Sequence, residues 1–162
     1  MANQHVLNLD YLAASRAQAI IRRIVKNKET ERGKPEDERK SEPQLARETD
    51  NAVTKALGVL QEHGVYACFL YLLAKEKDLG GIIVDEMLTA LQELKFDWNK
   101  PMKQGQTDLT PEVVLKHISD NVTRDLERLL LAKEVLEQTL IYARYGAKAC
   151  DVSESQGFAQ KG

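Results

Sequence analysis

His117 and Asp120 stand three residues apart, a spacing that would put an imidazole and a carboxylate on one helix face, as two metal ligands would be. A metal centre needs more ligands than this pair supplies. No Glu-x-x-His occurs, the inward pairing that builds a di-iron site in a helical bundle. The pair therefore reads as an exposed histidine near a helix end, with an aspartate capping the next helix. His63 precedes Gly64, where a cation suits a helix C-terminus, and His5 falls in an unstructured start. Cys68 lies inside an apolar run and reads as a small core residue, whereas Cys150, close to Lys148, is the candidate for a reactive thiol. Two cysteines make neither a disulfide framework nor a four-ligand zinc site. Gly80-Gly81 lacks the lysine and the spacing of a phosphate-cradling loop, and Arg-x-x-x-x-His, the signature of one class of helical ribonucleases, is absent. Asp85 and Glu86 fall on the polar side of their helix, where carboxylates are expected to be solvated. No residue set carries catalysis, a metal or a cofactor, so a non-enzymatic protein is expected.

Charge distribution is more informative. The 162 residues carry a formal net charge of -2, which excludes a solitary nonspecific nucleic-acid coater. Yet Arg16, Arg22, Arg23, Lys26 and Lys28 face only Asp10 in the first 28 residues, a basic excess that suits a polyanion. Near the other end Arg144 and Lys148 stand four apart on one helix face, with no acid between Glu137 and Asp151. Such a row can grip a phosphate backbone or complement a helix dipole. Tyr66, Tyr71, Tyr142 and Tyr145 are expected mostly in the core with hydroxyls reaching the surface, base stacking being the lesser reading.

The elements that must position these groups are helical almost throughout. At 43% hydrophobic residues the chain is too apolar for wholesale disorder, and it has no apolar run of membrane-spanning length. Asn8 or Asp10 caps a first helix reaching about Lys26, with Leu9, Leu12, Ala13, Ala17, Ile20 and Ile24 as its apolar stripe. Its arginines lie mostly off that stripe, facing solvent or a partner. Residues 28–43 are charge-dense and read as a mobile linker without a core face. Ser41 and Gln44 form a capping box for a second helix ending at Gly64, its first turns prone to fray over Arg47–Asn51. Val65–Ala74 is apolar almost all round and reads as a buried helix ended by Gly80-Gly81. Ile83, Val84, Met87, Leu88, Leu91 and Leu94 mark another helix, and a loop holding Trp98 precedes Thr110-Pro111-Glu112, a helix start. The short helix after it breaks around Ser119–Asn121. A last long helix carries Leu126 to Ala147, and residues 151–162 read as a disordered tail. The expectation is one all-α domain over residues 1–150, a compact bundle of about six helices with a charged linker after the first. The opening Met1–Val6 has no basic stretch feeding an apolar core, so a cytoplasmic location is expected.

Five segments carry a family resemblance: Leu9-Asp10-Tyr11-Leu12-Ala13-Ala14-Ser15-Arg16-Ala17; Val53–Leu57 with Leu60–Val65; Ala67–Lys75; Leu130–Leu136; and Leu140-Ile141-Tyr142-Ala143-Arg144-Tyr145-Gly146-Ala147-Lys148-Ala149. In order and type they resemble the small helical subunit of the type III-B (Cmr) CRISPR effector complex, or its equivalent in a related type III system. This chain departs from the pattern by lacking the closing tryptophan and by inserting Lys28–Pro43 and Lys100–Thr110. The resemblance implies a non-catalytic, cytoplasmic subunit of an antiviral defence ribonucleoprotein. It implies head-to-tail stacking of copies as a minor, or belly, filament, partnership with the other subunits, and contact with the guide RNA–target RNA duplex. No cofactor and no membrane are implied. Arg16, Lys55, Lys75, Arg144 and Lys148 match basic positions of the resembling segments and become candidate RNA-backbone contacts. Arg22, Arg23 and Lys26 join them on local charge alone. The rival expectation is a helical adaptor that binds proteins only.

Overall fold

Asn8 opens the first helix by accepting the Tyr11 backbone N–H on its side-chain oxygen at 3.0 Å. The structure, a computed structural model, describes residues 7–76 and 78–159, with side chains through residue 151. Helix α1 (Leu9–Ile21) runs on into a widened π turn, Arg22–Lys26, closed by Asn27 N–H donating to Arg22 O at 2.7 Å. Leu12, Ala13, Ala17, Ile20 and Ile24 are buried along it, as their spacing predicts.

Helix α2 (Glu42–His63) begins where Ser41 Oγ accepts the Gln44 N–H, and it ends at Gly64, whose φ of 96° glycine alone adopts without strain. The fraying expected over Arg47–Asn51 is not seen. Ala46 and Thr49 pack into the core there, and Thr49 can be buried because its hydroxyl donates to Leu45 O at 2.7 Å. Helix α3 (Val65–Lys75) is not covered all round. Val65, Cys68, Phe69 and Leu72 face inward, while Tyr66 and Leu70 are exposed.

Gly80-Gly81 does not terminate α3 but sits in the first turn of α4 (Leu79–Glu93). A Cβ on Gly80 would lie 2.5 Å from Leu72 O, so the pair allows two helices to meet at a sharp corner. The loop after α4 holds Trp98 buried and edge-on to Phe96, with ring centroids 5.0 Å apart and the Arg128 guanidinium over Phe96. It contains a small antiparallel hairpin that the sequence does not advertise, β1 (Met102–Lys103) and β2 (Gln106–Thr107).

Helix α5 (Pro111–His117) widens into a second π turn, Ile118–Val122, and the chain breaks before α6 (Leu126–Ala159). Helix α6 packs along both α1 and α2 and forms the spine of the bundle, with α4 against α1 and α3, and α5 against α3. Its backbone stays helical through Ala159, and the part of the expected tail at 160–162 lies outside the described residues. The all-α bundle is thus the architecture, and among the described residues no helix is long and apolar enough to cross a membrane.

Candidate nucleic-acid interface and the charge network behind it

The basic residues of the first helix divide into two sets. Arg16 and Arg23 are seven positions apart and share the face turned toward α4. Arg16 Nη1 lies 2.8 Å from Glu86 Oε1, and Arg23 Nη1 lies 2.8 Å from Glu86 Oε2 and 2.9 Å from Asp85 Oδ2. Arg23 Nε also donates to Glu29 Oε2 at 2.7 Å. Asp85 Oδ1 in turn accepts from Lys100 Nζ at 3.1 Å and from the Thr107 hydroxyl at 2.6 Å, which fastens the hairpin to α4.

These contacts correct two expectations. Arg16 and Arg23 are part-buried against α4 rather than turned out to solvent, and Asp85 and Glu86 are not merely solvated; Glu86 is only 6% exposed. The reason is packing: α4 presents its carboxylates to the one side of α1 that carries arginines, where each neutralises the other. Burial alone would lower the Arg23 pKa, but its hydrogen bonds to Glu29, Glu86 and Asp85 outweigh that and raise it. Burial likewise pushes Asp85 up, and Thr107, Lys100 and Arg23 more than reverse it, leaving its carboxyl below the usual range.

Arg22 and Lys26 lie on the other side of the same helix. They border an apolar groove of about 450 Å³ between α1 and α6, lined by Ala14, Ala17, Ile21, Tyr142 and Gly146. Lys26 is exposed and reaches Glu42 at 3.3 Å. Arg144 sits on the α2 side of α6, 3.8 Å from Asp50, and Lys148 one turn on is exposed. Lys55 and Lys75 line a separate shallow cavity between α2 and α3, together with Lys40 and the acids Glu48, Glu76 and Asp78. The eight candidate contacts therefore do not form one stripe. Two are paired with α4 carboxylates, two flank the groove, two lie on α6 and two share a mixed-charge hollow.

The linker is likewise more ordered than its composition suggests. It winds through two short 3-10 turns, Glu29–Glu31 and Glu36–Glu38, around the carboxylate of Glu31, which is 2% exposed. Glu31 Oε1 accepts the Lys40 N–H at 2.9 Å, and Oε2 accepts from the Thr30 hydroxyl at 2.8 Å and Lys34 Nζ at 3.1 Å. Burial raises the Glu31 pKa and these donors overcome it, holding the carboxyl below its ordinary value. A segment without large apolar residues thus packs around a buried charge, a device that hydrophobic periodicity does not register.

Among the other groups singled out by type, Cys68 is fully buried, its thiol donating to Ala56 O at 3.4 Å and pushed up to about 12 by burial. His117 is half-buried, and burial lowers its pKa. Among the described residues no group of three or more His, Cys, Asp or Glu side chains is arranged to hold a metal. None of the four tyrosines expected in the core is fully enclosed. Tyr71 and Tyr142 are half-buried with hydroxyls on Glu76 and Asp10, and Tyr66 and Tyr145 are exposed. No family model, curated protein or solved structure matches this chain.

Proposed function

We propose that this chain is a non-catalytic small subunit of a type III CRISPR ribonucleoprotein effector, packing through its apolar surfaces and touching the RNA backbone through its exposed cations. The resemblance of five segments supports the class. The observation that carries the reading is the split of the first helix. Arg16 and Arg23 hold α4, while Arg22 and Lys26, the latter also paired with Glu42, stand at the mouth of an apolar groove. Such a surface suits a subunit that docks on protein and neutralises phosphate at the same edge. Backbone contact falls to Arg22, Lys26, Lys55, Lys75, Arg144 and Lys148, with Arg16 and Arg23 acting as positioning residues.

Stacking of copies has a matching surface. Leu126 and Leu130 are 69% and 58% exposed on one face of α6, beside Glu127 and Glu134. At 1.5 Å per residue this ridge lies roughly 25–30 Å along α6 from the groove at Gly146. An apolar ridge at one end of α6 and an apolar groove at the other can meet head to tail.

Copurification tests the reading. Expressed with its genomic neighbours, the chain is expected to migrate with larger subunits and guide RNA; elution as a lone monomer without RNA overturns it. A protein-only adaptor is the second reading, favoured by the neutralisation of Arg16, Arg23 and Arg144 by acids of this same chain. The salt dependence of RNA retention separates the two, because displaced counterions give a slope that a protein-only contact lacks.

A further inference from the structure

Residues 27–41, between the π turn and α2, carry five basic and five acidic side chains, and the fold sorts them. Glu31 is drawn inside and its oxygens are occupied by Lys40, Thr30 and Lys34. Glu36, Asp37 and Glu38 project from their own turn and do not border the cavity next to it. That cavity, about 370 Å³, is lined by Asn27, Lys28, Arg32, Gly33, Arg39 and the neutralised Glu31. Three basic residues thus line one hollow in a stretch whose charges balance along the sequence.

Their charge is unspent. Among the described residues Lys28, Arg32 and Arg39 form no ion pair, in contrast to Arg16 and Arg23. Arg39 is nevertheless oriented, because its Nε donates to Lys34 O at 2.9 Å. Lys28 is held in the left-handed region at φ 49°, a conformation that non-glycine residues rarely adopt. The cavity also adjoins the turn that carries Arg22 and Lys26. Two arginines and a lysine bordering one open hollow are the residue types that take a phosphate group.

We infer that the turn of residues 27–39 is a phosphate pocket in which Lys28, Arg32 and Arg39 hold a phosphodiester group of an RNA strand. The inference rests on the RNA-contact reading above and adds residues to it. Glu31 shapes the pocket from within, its oxygens turned to Lys40, Thr30 and Lys34.

The test is a titration of the isotope-labelled full chain with oligouridylate, and separately with inorganic pyrophosphate, at low salt, monitored by amide chemical shifts. Oligouridylate is expected to shift the amides of residues 27–40, with half-saturation at least fivefold higher in Arg32→Gln/Arg39→Gln. Arg39→Lys, which keeps the charge and loses the fork, should fall between. Shifts elsewhere on the surface, unchanged by the double variant, overturn the pocket and leave the RNA reading standing. Pyrophosphate binding at these residues without any oligouridylate effect overturns the phosphodiester assignment and indicates a free-phosphate site. No response to either probe overturns the pocket outright. Copurification with guide RNA remains the separate test of the RNA reading.

Discussion

Glu86 of α4 accepts hydrogen bonds from two arginines of the α1 path at once, Arg16 through Oε1 and Arg23 through Oε2, each at 2.8 Å. One buried carboxylate therefore fixes the rotation of α1 against α4, and so decides which cations of the first helix turn toward α4 and which toward the groove.

Glu86→Ala is expected to destabilise the bundle by about 1–2 kcal/mol, since Arg16 loses its close partner while Arg23 keeps Asp85 and Glu29. Urea unfolding measures it. A loss below about 0.5 kcal/mol would show that the network is incidental to the packing of α1 on α4.

Acid should unfasten the linker turn. The Glu31 pKa is lower folded than unfolded, so its contribution is present above the ordinary carboxylate value, near 4, and is lost as pH falls through the folded value. The urea midpoint of the native chain should therefore drop more steeply below pH 4 than that of Glu31→Gln. Parallel curves for the two proteins count against the turn being built on this carboxylate.

Neighbouring glycines should answer oppositely to alanine. Gly80→Ala places a methyl 2.5 Å from Leu72 O and is expected to cost about 1–3 kcal/mol, because backbone must move. Gly81→Ala meets only Leu109 Cδ1 at 3.6 Å and gains up to about 1 kcal/mol of helix propensity. Thermal melts of the two variants check the pair; equal shifts contradict the close corner between α3 and α4.

The thiols should separate in a labelling time course. Cys68, fully buried and pushed up to about 12, is expected to react only on unfolding, and half-buried Cys150 in the native state. Mass spectrometry after brief treatment with a thiol reagent should find the label on Cys150 alone. Native labelling of Cys68 would mean that the α2–α3 contact opens readily.

Stacking predicts concentration-dependent association that Leu126→Glu with Leu130→Glu abolishes without loss of helicity. Sedimentation equilibrium reads it. A native chain that stays monomeric at several hundred micromolar removes the ridge-and-groove contact.

Much of the architecture is legible along the chain. Asn8, Ser41 and Gly64 mark helix ends through local hydrogen bonds and backbone conformation, and Leu12, Ala17, Ile20 and Ile24 repeat at the helical period because one face of α1 is buried. Such features depend on residues within about one turn of each other. The hairpin at Met102–Thr107 leaves no such trace because two-residue strands carry no period, and the Glu31 turn leaves none because its centre is a charge.

The candidate site is legible only as a set of residue types. Periodicity identifies the polar side of α1 but treats Arg16 and Arg22 alike, since both lie off the apolar stripe. Their difference comes from Glu86, 70 positions from Arg16 in sequence. Residue order along the chain is enough to set the helices, their caps and the apolar faces that must meet. Which cations are neutralised inside and which face outward is settled by tertiary packing alone, because a charge's state depends on the partner packed against it, and that partner comes from a distant helix.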